Sequence, residues 1–398
     1  MKNKEYDKKY DIIIVGAGPA GMGAAAALTG SRLKVAIIDN GVTVNPVLVT
    51  TKKVIEKFGL EKTVIQKYNK FSLYSKNYGF TKRFPKGWEF VLVDIKKAKK
   101  IVKKRVDFDV IDNTEIIDAK RDDSRVILTD FKNNQYKTKV VIDASGNAAV
   151  AAKSLGLNTQ SRFYFSCFAL ELENCSIKDP HEFSWDVNPD YTNGAFNMYP
   201  YSKTKGQFVI ADFEPYALAT EEDLKRRLML AVKKERPYSS YFNNAKIVKG
   251  SEFSAEFPLQ VIPRVTDDNL IVVGASAGHI TNSAGEGFRP GIELGSIAGI
   301  LASQAVKEGD VSRRRLYEFE NAWKKSFGKH DHLMRLTRFI SAHYNAKETD
   351  IALKLLNKLN EKEFFRFIAS DVDFGLFLKY TSFRLFLIFL KIMLLRRK

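Results

Sequence analysis

The sequence has few cysteines and no secretory signal, and these two absences limit the kinds of protein it can encode. Only Cys167 and Cys175 occur in 398 residues, and their spacing fits neither a disulfide framework nor a metal-binding cluster. The opening residues MKNKEYDKKY are polar, so no apolar leader precedes the first apolar segment. We therefore expect a cytoplasmic protein without structural disulfides and without a metal site.

Acidic residues are also scarce. The chain has 46 Asp and Glu against 64 Lys and Arg, which gives a formal net charge of +18. Such an excess indicates an anionic partner: a nucleic acid, an acidic membrane surface or a phosphorylated substrate. No nucleic-acid-binding module is recognisable, so we expect no nucleic-acid partner. The basic run KKAKKIVKKR at 96–105 is predicted to be a solvated helix with Ile101 and Val102 turned inward.

The apolar tail at 374–398 lacks a run long enough to cross a bilayer. Its densest part, Leu385–Leu395, is shorter than the roughly 20 residues that a spanning helix needs. Lys379, Arg384 and Lys391 could reach the headgroups while the rest of the tail lies in an anionic membrane surface. The protein would then be peripheral on the inner face of the membrane. The alternative is a terminal helix packed on the core or on a second subunit.

A glycine-rich motif stands near the start of the chain, in DIIIVGAGPAGMGAAAALTG at 11–30. Its apolar residues 12–15 predict a buried strand, and its alanine-rich end predicts a helix. Gly16 permits a tight turn, Gly18 lets backbone approach a pyrophosphate, and Gly21 lets the helix pack closely on the strand. The N-terminus of the helix would attract the phosphate charge.

A second strand and an acidic residue complete this unit. KVAIID at 34–39 predicts a strand, and Asp39 lies at its end. A carboxylate at this distance from the glycines accepts hydrogen bonds from an adenosine ribose. Strand, glycine turn, helix, strand and acid occur in order, and together they predict a dinucleotide site. The alternative is a structural turn that Asp39 caps.

Two further stretches each combine a strand with a turn of small residues. KVVIDASGN at 139–147 places Asp143 at the end of a strand. NLIVVGASAGHITNSAGEGFRPGIELGSIAGILAS at 269–303 runs from a strand through a glycine turn to a GEG segment at 285–287 and a long helix. These glycines would let backbone N–H groups approach a flat ligand, and the positive end of the helix would stabilise negative charge on it.

These three motifs resemble those of the flavoprotein family that includes aromatic hydroxylases, flavin halogenases and geranylgeranyl reductases. The resemblance extends over residues 1–310 and implies a FAD-dependent oxidoreductase. It also implies that FAD is held by Gly16, Gly18, Pro19, Ala20, Gly21, Asp39, Gly274, Ala275, Gly278, Gly285, Gly287 and Phe288. Ala275 stands where the family has an acidic residue, so one hydrogen bond to the ribityl chain is missing unless Ser276 replaces it.

Two residues near the third motif are candidates for a catalytic role. His279 lies in the loop expected to face the flavin, and we consider it as a proton donor. A structural histidine is the alternative. Arg289 follows the GEG segment and would either add positive charge beside the flavin or form a salt bridge to a nearby acid.

The segment between the flavin motifs differs from them in its pattern of apolar residues. FYFSCFALELE, GAFNMYP and GQFVIADF predict strands of an antiparallel sheet, whose aromatic residues would form either core or a large apolar pocket. The stretch at 193–213 is similar to a geranylgeranyl reductase signature. That similarity implies Phe196, Tyr199 and Pro200 as substrate-binding residues, although Ala195 and Asn197 replace the tyrosine and tryptophan of that family and its early cysteine has no counterpart.

The predicted fold is therefore α/β: a Rossmann-like FAD-binding domain, an antiparallel β-sheet substrate domain and C-terminal helices. The FAD-binding domain would comprise residues 1–160 and 255–310. The substrate domain would comprise 161–254, and 311–398 would form a helical region ending in the apolar, basic tail.

Three functions compete at this point. The first, which we favour, is a geranylgeranyl-reductase-like enzyme that uses reduced FAD and an external electron donor to saturate isoprenoid double bonds of a lipid. The second is a FAD-dependent monooxygenase that hydroxylates a hydrophobic substrate; the WxWxIP-type motif of halogenases is absent. The third is a non-catalytic flavoprotein that binds an isoprenoid or a membrane, which the Ala275 replacement makes conceivable.

Overall fold

A computed structural model of the chain describes residues 8–161, 163–214, 219–235, 238–282, 285–331, 334–335, 338 and 341–380. The strands are β1 (Lys8–Val15), β2 (Val35–Asp39), β3 (Val47–Thr51), β4 (Val64–Tyr68), β5 (Lys70–Tyr74), β6 (Gly79–Arg83), β7 (Phe90–Asp94), β8 (Asp109–Asp112), β9 (Ile116–Asp122), β10 (Arg125–Asp130), β11 (Gln135–Asp143), β12 (Tyr164–Glu173), β13 (Glu182–Asp186), β14 (Ala195–Pro200), β15 (Lys205–Glu214), β16 (Lys246–Ile247), β17 (Phe253–Pro258), β18 (Thr266–Asp267) and β19 (Leu270–Val272).

Helices cover the sheets and follow them in the chain. They are α1 (Pro19–Leu28), α2 (Lys52–Lys57), α3 (Ile95–Arg105), α4 (Val150–Ser154), α5 (Glu221–Lys234), α6 (Tyr238–Tyr241), α7 (Phe288–Glu308), α8 (Arg313–Leu316), α9 (Glu318–Lys325), α10 (Ala346–Leu356), α11 (Glu361–Ile368) and α12 (Phe374–Tyr380). Short 3₁₀ turns occupy Glu61–Thr63, Gly146–Ala148, Gly274–Ala277 and Phe327–His330.

The first sheet is the predicted Rossmann-like sheet. β1 lies between β11 and β2 and is parallel to both, while β8 and β19 extend the parallel order outward. β18 pairs antiparallel with β19, and β10 and β9 form an antiparallel extension of β11. Ile12, Ile13 and Ile14 are fully buried because both faces of a parallel sheet are covered. The carboxyl ends of β1, β2 and β11 consequently meet at one edge, where ligands bind in such sheets.

Small residues bring α1 and α7 into direct contact. A Cβ atom on Gly23 would lie 1.9 Å from the backbone oxygen of Ile292, and one on Gly295 would lie 2.0 Å from the backbone oxygen of Ala20. Neither position therefore accepts a side chain without separating the helices. This close packing places the N-terminus of α7 beside that of α1.

The second sheet is mixed. Its order is β16-β12-β15-β14-β13-β5-β6, with β17 also paired to β12. Its pairs are antiparallel except that β5 runs parallel to β13. β5 and β6 come from 70–83, outside the 161–254 segment that we expected to build this sheet. A parallel pair joined across a long stretch of chain leaves no local sequence pattern, so the sequence did not reveal it.

The remaining elements close one side of the molecule. β7 pairs antiparallel with β3 and β4 in a third sheet. Phe71 lies 4.7 Å from Phe183 and 5.7 Å from Phe364, measured between ring centroids, so aromatic packing joins α11 to the second sheet. Within the described residues, no helix has both the length and the apolar character needed to cross a bilayer. Residues 381–398, most of the predicted tail, lie outside the described residues.

Candidate functional site

A cavity of about 380 Å³ opens between the first and second sheets. We call it the first cavity. The glycine motif, the end of β2 and the start of α7 form one wall, and the second sheet forms the other. The predicted site residues that line it are Gly16, Gly18, Pro19, Ala20, Asp39, Gly274, Ala275, Gly285, Gly287 and Tyr199. Three motifs that are far apart in sequence thus meet around one space.

The N-terminal glycine motif has the shape that a pyrophosphate requires. Gly16 has φ +95°, and a Cβ there would lie 2.5 Å from the backbone oxygen of Ala144. A Cβ on Gly18 would meet no protein atom within 4 Å, so open space adjoins the N-terminus of α1. The first turn of α1 contains no acidic residue, which leaves its positive end available to an anion. Gly21 lies behind this loop and supports it rather than lining the cavity.

Asp39 is buried and already paired. Its Oδ1 accepts a hydrogen bond from the Ala17 N–H at 3.0 Å, and its Oδ2 lies 2.8 Å from the Lys103 Nζ and 3.4 Å from the Lys99 Nζ. Burial alone would raise the pKa of Asp39, but the Lys103 hydrogen bond and the Lys99 charge outweigh it and hold the pKa below its ordinary value. Asp39 is therefore an ionised acceptor, and its remaining lone pairs are those that could reach a ribose.

Lys99 and Lys103 are site residues that the sequence reasoning missed. Both lie on α3, the basic run predicted to be a solvated helix, and Lys99 lines the first cavity. The helix itself is confirmed, with Val102 buried and Ile101 half-buried. The spacing of four residues between the two lysines, which puts them on one helix face, was the available signal.

The mid-chain turn after β11 is held by Asp143. This buried carboxylate accepts hydrogen bonds from the Ser145 N–H and hydroxyl through Oδ1 and from the Ala152 N–H through Oδ2. Asp143 therefore fixes the turn and the start of α4. Ala144, Ser145 and Gly146 then line the first cavity.

Only part of the third motif faces the first cavity. Ala275 does so, and its methyl group stands where the resemblance implies a carboxylate. Ser276 is buried and outside the cavity lining, so it is not placed to replace that carboxylate. Gly278 packs against the backbone of Gln260, and Phe288 is fully buried in the core; neither lines the cavity.

His279 does not reach the first cavity. It is 2% exposed, stacks on Trp323 with 5.6 Å between ring centroids and contacts Phe319 edge-on at 5.9 Å. Its ring lines a separate third cavity of about 290 Å³ behind the start of α7. Burial lowers the pKa of His279 to about 3, so the ring is neutral at physiological pH. The structure thus supports the structural alternative for His279 and not a proton donor at the flavin.

Arg289 also lies on the side of the third cavity. Its guanidinium is stacked on Phe327 at 4.9 Å, donates to the Ala369 carbonyl oxygen and lies 3.7 Å from the Glu286 carboxylate. Of the two alternatives for Arg289, the structure shows the salt bridge.

Glu286 is the acidic residue of the third motif that lines the first cavity. Its Oε1 accepts a hydrogen bond from the Thr50 hydroxyl at 2.8 Å. Burial raises the pKa of Glu286, although the Arg289 charge opposes the shift. This carboxyl therefore retains a proton to higher pH than an exposed glutamate does.

The second sheet divides the predicted substrate residues between its two faces. Tyr199 faces the first cavity, and its hydroxyl accepts from the Trp185 Nε1–H at 3.3 Å. Phe196 points to the opposite face, where it contacts Tyr238 with 4.8 Å between ring centroids. Pro200, an even number of residues from Phe196, does not line the cavity either. The implied substrate contacts of Phe196 and Pro200 are therefore corrected, because alternate residues of a strand face opposite sides.

That alternation brings two further residues to the first cavity. Asn197 on β14 and Gln207 on β15 both line it. Within the described part of the chain, the Asn197 Oδ1 and the Gln207 Nε2 are buried and have no hydrogen-bond partner. Because buried polar atoms are normally paired, these two are candidates to bind a ligand. Counting in twos from Tyr199 along the strand would have predicted Asn197.

A second cavity of about 340 Å³ adjoins the first. The two share Phe165, Trp185, Asn197 and Ile368 as lining residues. Aliphatic and aromatic side chains form most of the second cavity, and Arg338 is its charged lining residue. A ligand long enough to pass Trp185 would therefore occupy both cavities.

Comparison with known proteins places these features in context. The pyridine nucleotide-disulphide oxidoreductase family model matches residues 10–175. A digeranylgeranylglycerophospholipid reductase from Methanocaldococcus jannaschii is 26% identical over 337 residues, which cover 81% of this chain and 84% of that protein. Cys167 and Cys175 are both buried and unpaired.

Solved structures show the same fold. A geranylgeranyl bacteriochlorophyll reductase-like protein from Thermoplasma acidophilum superposes with a TM-score of 0.81 at 16% identity, covering 94% of this chain and 96% of that one. The p-nitrophenol 4-monooxygenase of Pseudomonas putida gives a TM-score of 0.70 at 15% identity, covering 95% and 100%. The resemblance and the fold class predicted from the three motifs are confirmed.

Proposed function

We propose that this chain, a FAD-dependent oxidoreductase, reduces carbon–carbon double bonds of an isoprenoid lipid. The observation that carries the proposal is the pair of adjoining apolar cavities, one of which contains all three flavin motifs. A long hydrocarbon chain could lie in the second cavity and extend into the first. The name of the Methanocaldococcus relative supports the same substrate class.

The residues of the first cavity fit FAD. The open space at Gly18 and the N-terminus of α1 would receive the pyrophosphate, and Asp39 with Lys99 would lie at the ribose side. The N-terminus of α7, at Gly287, would lie near the flavin ring. When bound and reduced, the flavin supplies the hydride that one carbon of a double bond accepts.

The protein's own side chains would position the lipid and supply the proton. Phe165, Trp185 and Tyr199 present aromatic surface to the chain and exclude water. The second carbon of the double bond needs a proton, and Glu286, a carboxyl whose pKa burial raises, would donate it. Cys167 also lines the cavity, but burial raises its pKa to about 12, so it stays a thiol.

Two partners complete the proposal. Each double bond consumes two electrons, so an external electron donor has to regenerate reduced flavin. The net charge of +18 favours an anionic membrane surface as the place where the lipid is met.

Substrate-dependent reoxidation of the flavin tests this function. The holoprotein is reduced with dithionite under nitrogen and mixed with geranylgeranyl phosphate while flavin absorbance is followed. We expect the oxidised spectrum to return without oxygen. Reoxidation that requires oxygen, together with a hydroxylated product, would instead identify a monooxygenase. A protein that binds the lipid but never reoxidises would be the non-catalytic flavoprotein.

A further inference from the structure

Arg338 is a charged residue in a cavity whose lining is mostly apolar. It lines the second cavity, and its guanidinium carbon lies 3.1 Å from the centroid of the Phe213 ring. Its Nε and Nη2 atoms are buried, and no described residue accepts a hydrogen bond from them. A guanidinium has five N–H donors arranged for a carboxylate or a phosphate, so this one is left with unused capacity.

The Asp212 carboxylate, whose charge acts on Arg338, is engaged by other residues. Asp212 accepts hydrogen bonds from Arg227, with Oδ1 3.2 Å from Nη1 and Oδ2 2.5 Å from Nη2, and from the Thr192 hydroxyl at 2.6 Å. Its charge is therefore already balanced by another guanidinium. Burial lowers the pKa of Arg338 to about 9, even though the Asp212 charge opposes the shift. Buried donor atoms of a cation that find no acceptor among the described residues are unfavourable, and an anion bound beside Arg338 would relieve that cost.

The rest of the second cavity suits a hydrocarbon. Its wall includes Leu73, Val187, Leu353, Leu356 and Phe367. On the side shared with the first cavity, Trp185 and Asn197 separate Arg338 from the flavin motifs. A molecule with one anionic end and a long apolar body would match this arrangement, in which Arg338 lies in one of two adjoining and mostly apolar cavities.

We infer that Arg338 binds the anionic head of the lipid substrate and so fixes which part of its chain enters the first cavity. This inference rests on the proposed function and adds the chemistry of the substrate's end: a phosphate or carboxylate attached to the isoprenoid chain. Arg338 acts as a specificity-determining residue, since an uncharged lipid would gain nothing from it.

Binding of matched lipids to the oxidised holoprotein tests the inference. Geranylgeranyl phosphate, geranylgeraniol and inorganic phosphate are titrated while the tryptophan and flavin fluorescence is followed. The wild type should bind the lipid phosphate more tightly than the alcohol. Arg338→Gln should weaken binding of the lipid phosphate about 10- to 100-fold, because charged hydrogen bonds are lost. Binding of the alcohol should stay unchanged. Arg338→Lys should recover part of the affinity.

Arg335→Gln is the matched control. Arg335 belongs to the same segment, but it pairs with Asp331 at 3.2 Å and lines neither cavity. Its substitution should therefore leave the affinity for both lipids unchanged. Equal affinity of the wild type for lipid phosphate and alcohol would overturn the inference, as would an Arg338→Gln variant that loses both equally. Arg338-dependent binding of inorganic phosphate alone, without any lipid preference, would also overturn it. A wild type that binds neither lipid would refute the proposed function itself.

Discussion

The buried ion pair between Asp39 and Lys99 is expected to stabilise the folded protein as well as the cofactor site. The Asp39 side chain is 4% exposed and the Lys99 side chain 11% exposed. Asp39→Ala would remove the carboxylate and leave Lys99 buried without a counter-charge. Lys103 also contacts Asp39 but keeps Asp112 as a second acidic partner. The uncompensated charge after this substitution is therefore chiefly that of Lys99.

Breaking a buried ion pair from one side typically costs about 3–5 kcal/mol, because the remaining charge is left unsolvated. We expect Asp39→Ala to lower the free energy of unfolding by about that amount. This figure includes the loss of the hydrogen bond that Asp39 accepts from the Ala17 N–H. Adding Lys99→Met should recover about 1–3 kcal/mol, since the buried cation is then gone. Flavin affinity should fall in both variants.

Urea unfolding of the flavin-free protein measures these changes in the free energy of unfolding without interference from cofactor binding. Glu252→Ala is the control, because Glu252 pairs with Lys225 at the surface and should contribute no more than about 1 kcal/mol. In the wild type, Asp39 contributes its full stabilisation at pH values above its pKa in the unfolded chain. This stabilisation is lost as the pH falls through the lower pKa of Asp39 in the folded protein. An Asp39→Ala variant as stable as Glu252→Ala, or no recovery with Lys99→Met, would refute the reasoning.

Three further predictions concern the flavin, the buried histidine and the tail. Gly18→Val should abolish flavin binding, since its side chain would fill the open space at α1, while circular dichroism of the flavin-free protein stays unchanged; a yellow variant would contradict this. His279→Phe should reduce the stability loss between pH 6.5 and about 3, because in the wild type the unfolded histidine takes up a proton that the folded one refuses down to about pH 3; identical pH profiles of melting would contradict it. Deletion of 381–398 should abolish sedimentation with anionic vesicles and retain flavin; equal sedimentation of both proteins would remove the membrane proposal.

The motifs carried by local sequence were predictable. Apolar strands followed by turns of small residues specify β1, β11 and β19, because each pattern lies within one strand–turn–helix unit. The need for glycine at 16 follows from the turn itself. The structure confirms that these elements meet at the edge where a dinucleotide binds in this fold.

The residues that sequence reasoning misplaced depend on packing across the chain. His279 follows the third glycine turn, and only the packing of Trp323 and Phe319 shows that its ring faces away from the first cavity. The face of the sheet to which Phe196 points depends on the register of its strand, and a motif match does not determine that register. Arg338 lies more than a hundred residues from Phe213, on which it stacks, and nothing in the local sequence relates the two.

The mass of the lipid after one anaerobic turnover tests the central claim most directly. Reduced holoprotein is incubated with geranylgeranyl phosphate in deuterium oxide, and the extracted lipid is analysed by mass spectrometry. We predict saturation of a double bond with two added deuterium atoms, because the transferable hydrogen of reduced flavin exchanges with solvent and the second hydrogen comes from solvent through a protein acid. Unchanged lipid beside fully reduced flavin, or a product that has gained oxygen on admission of air, would contradict it.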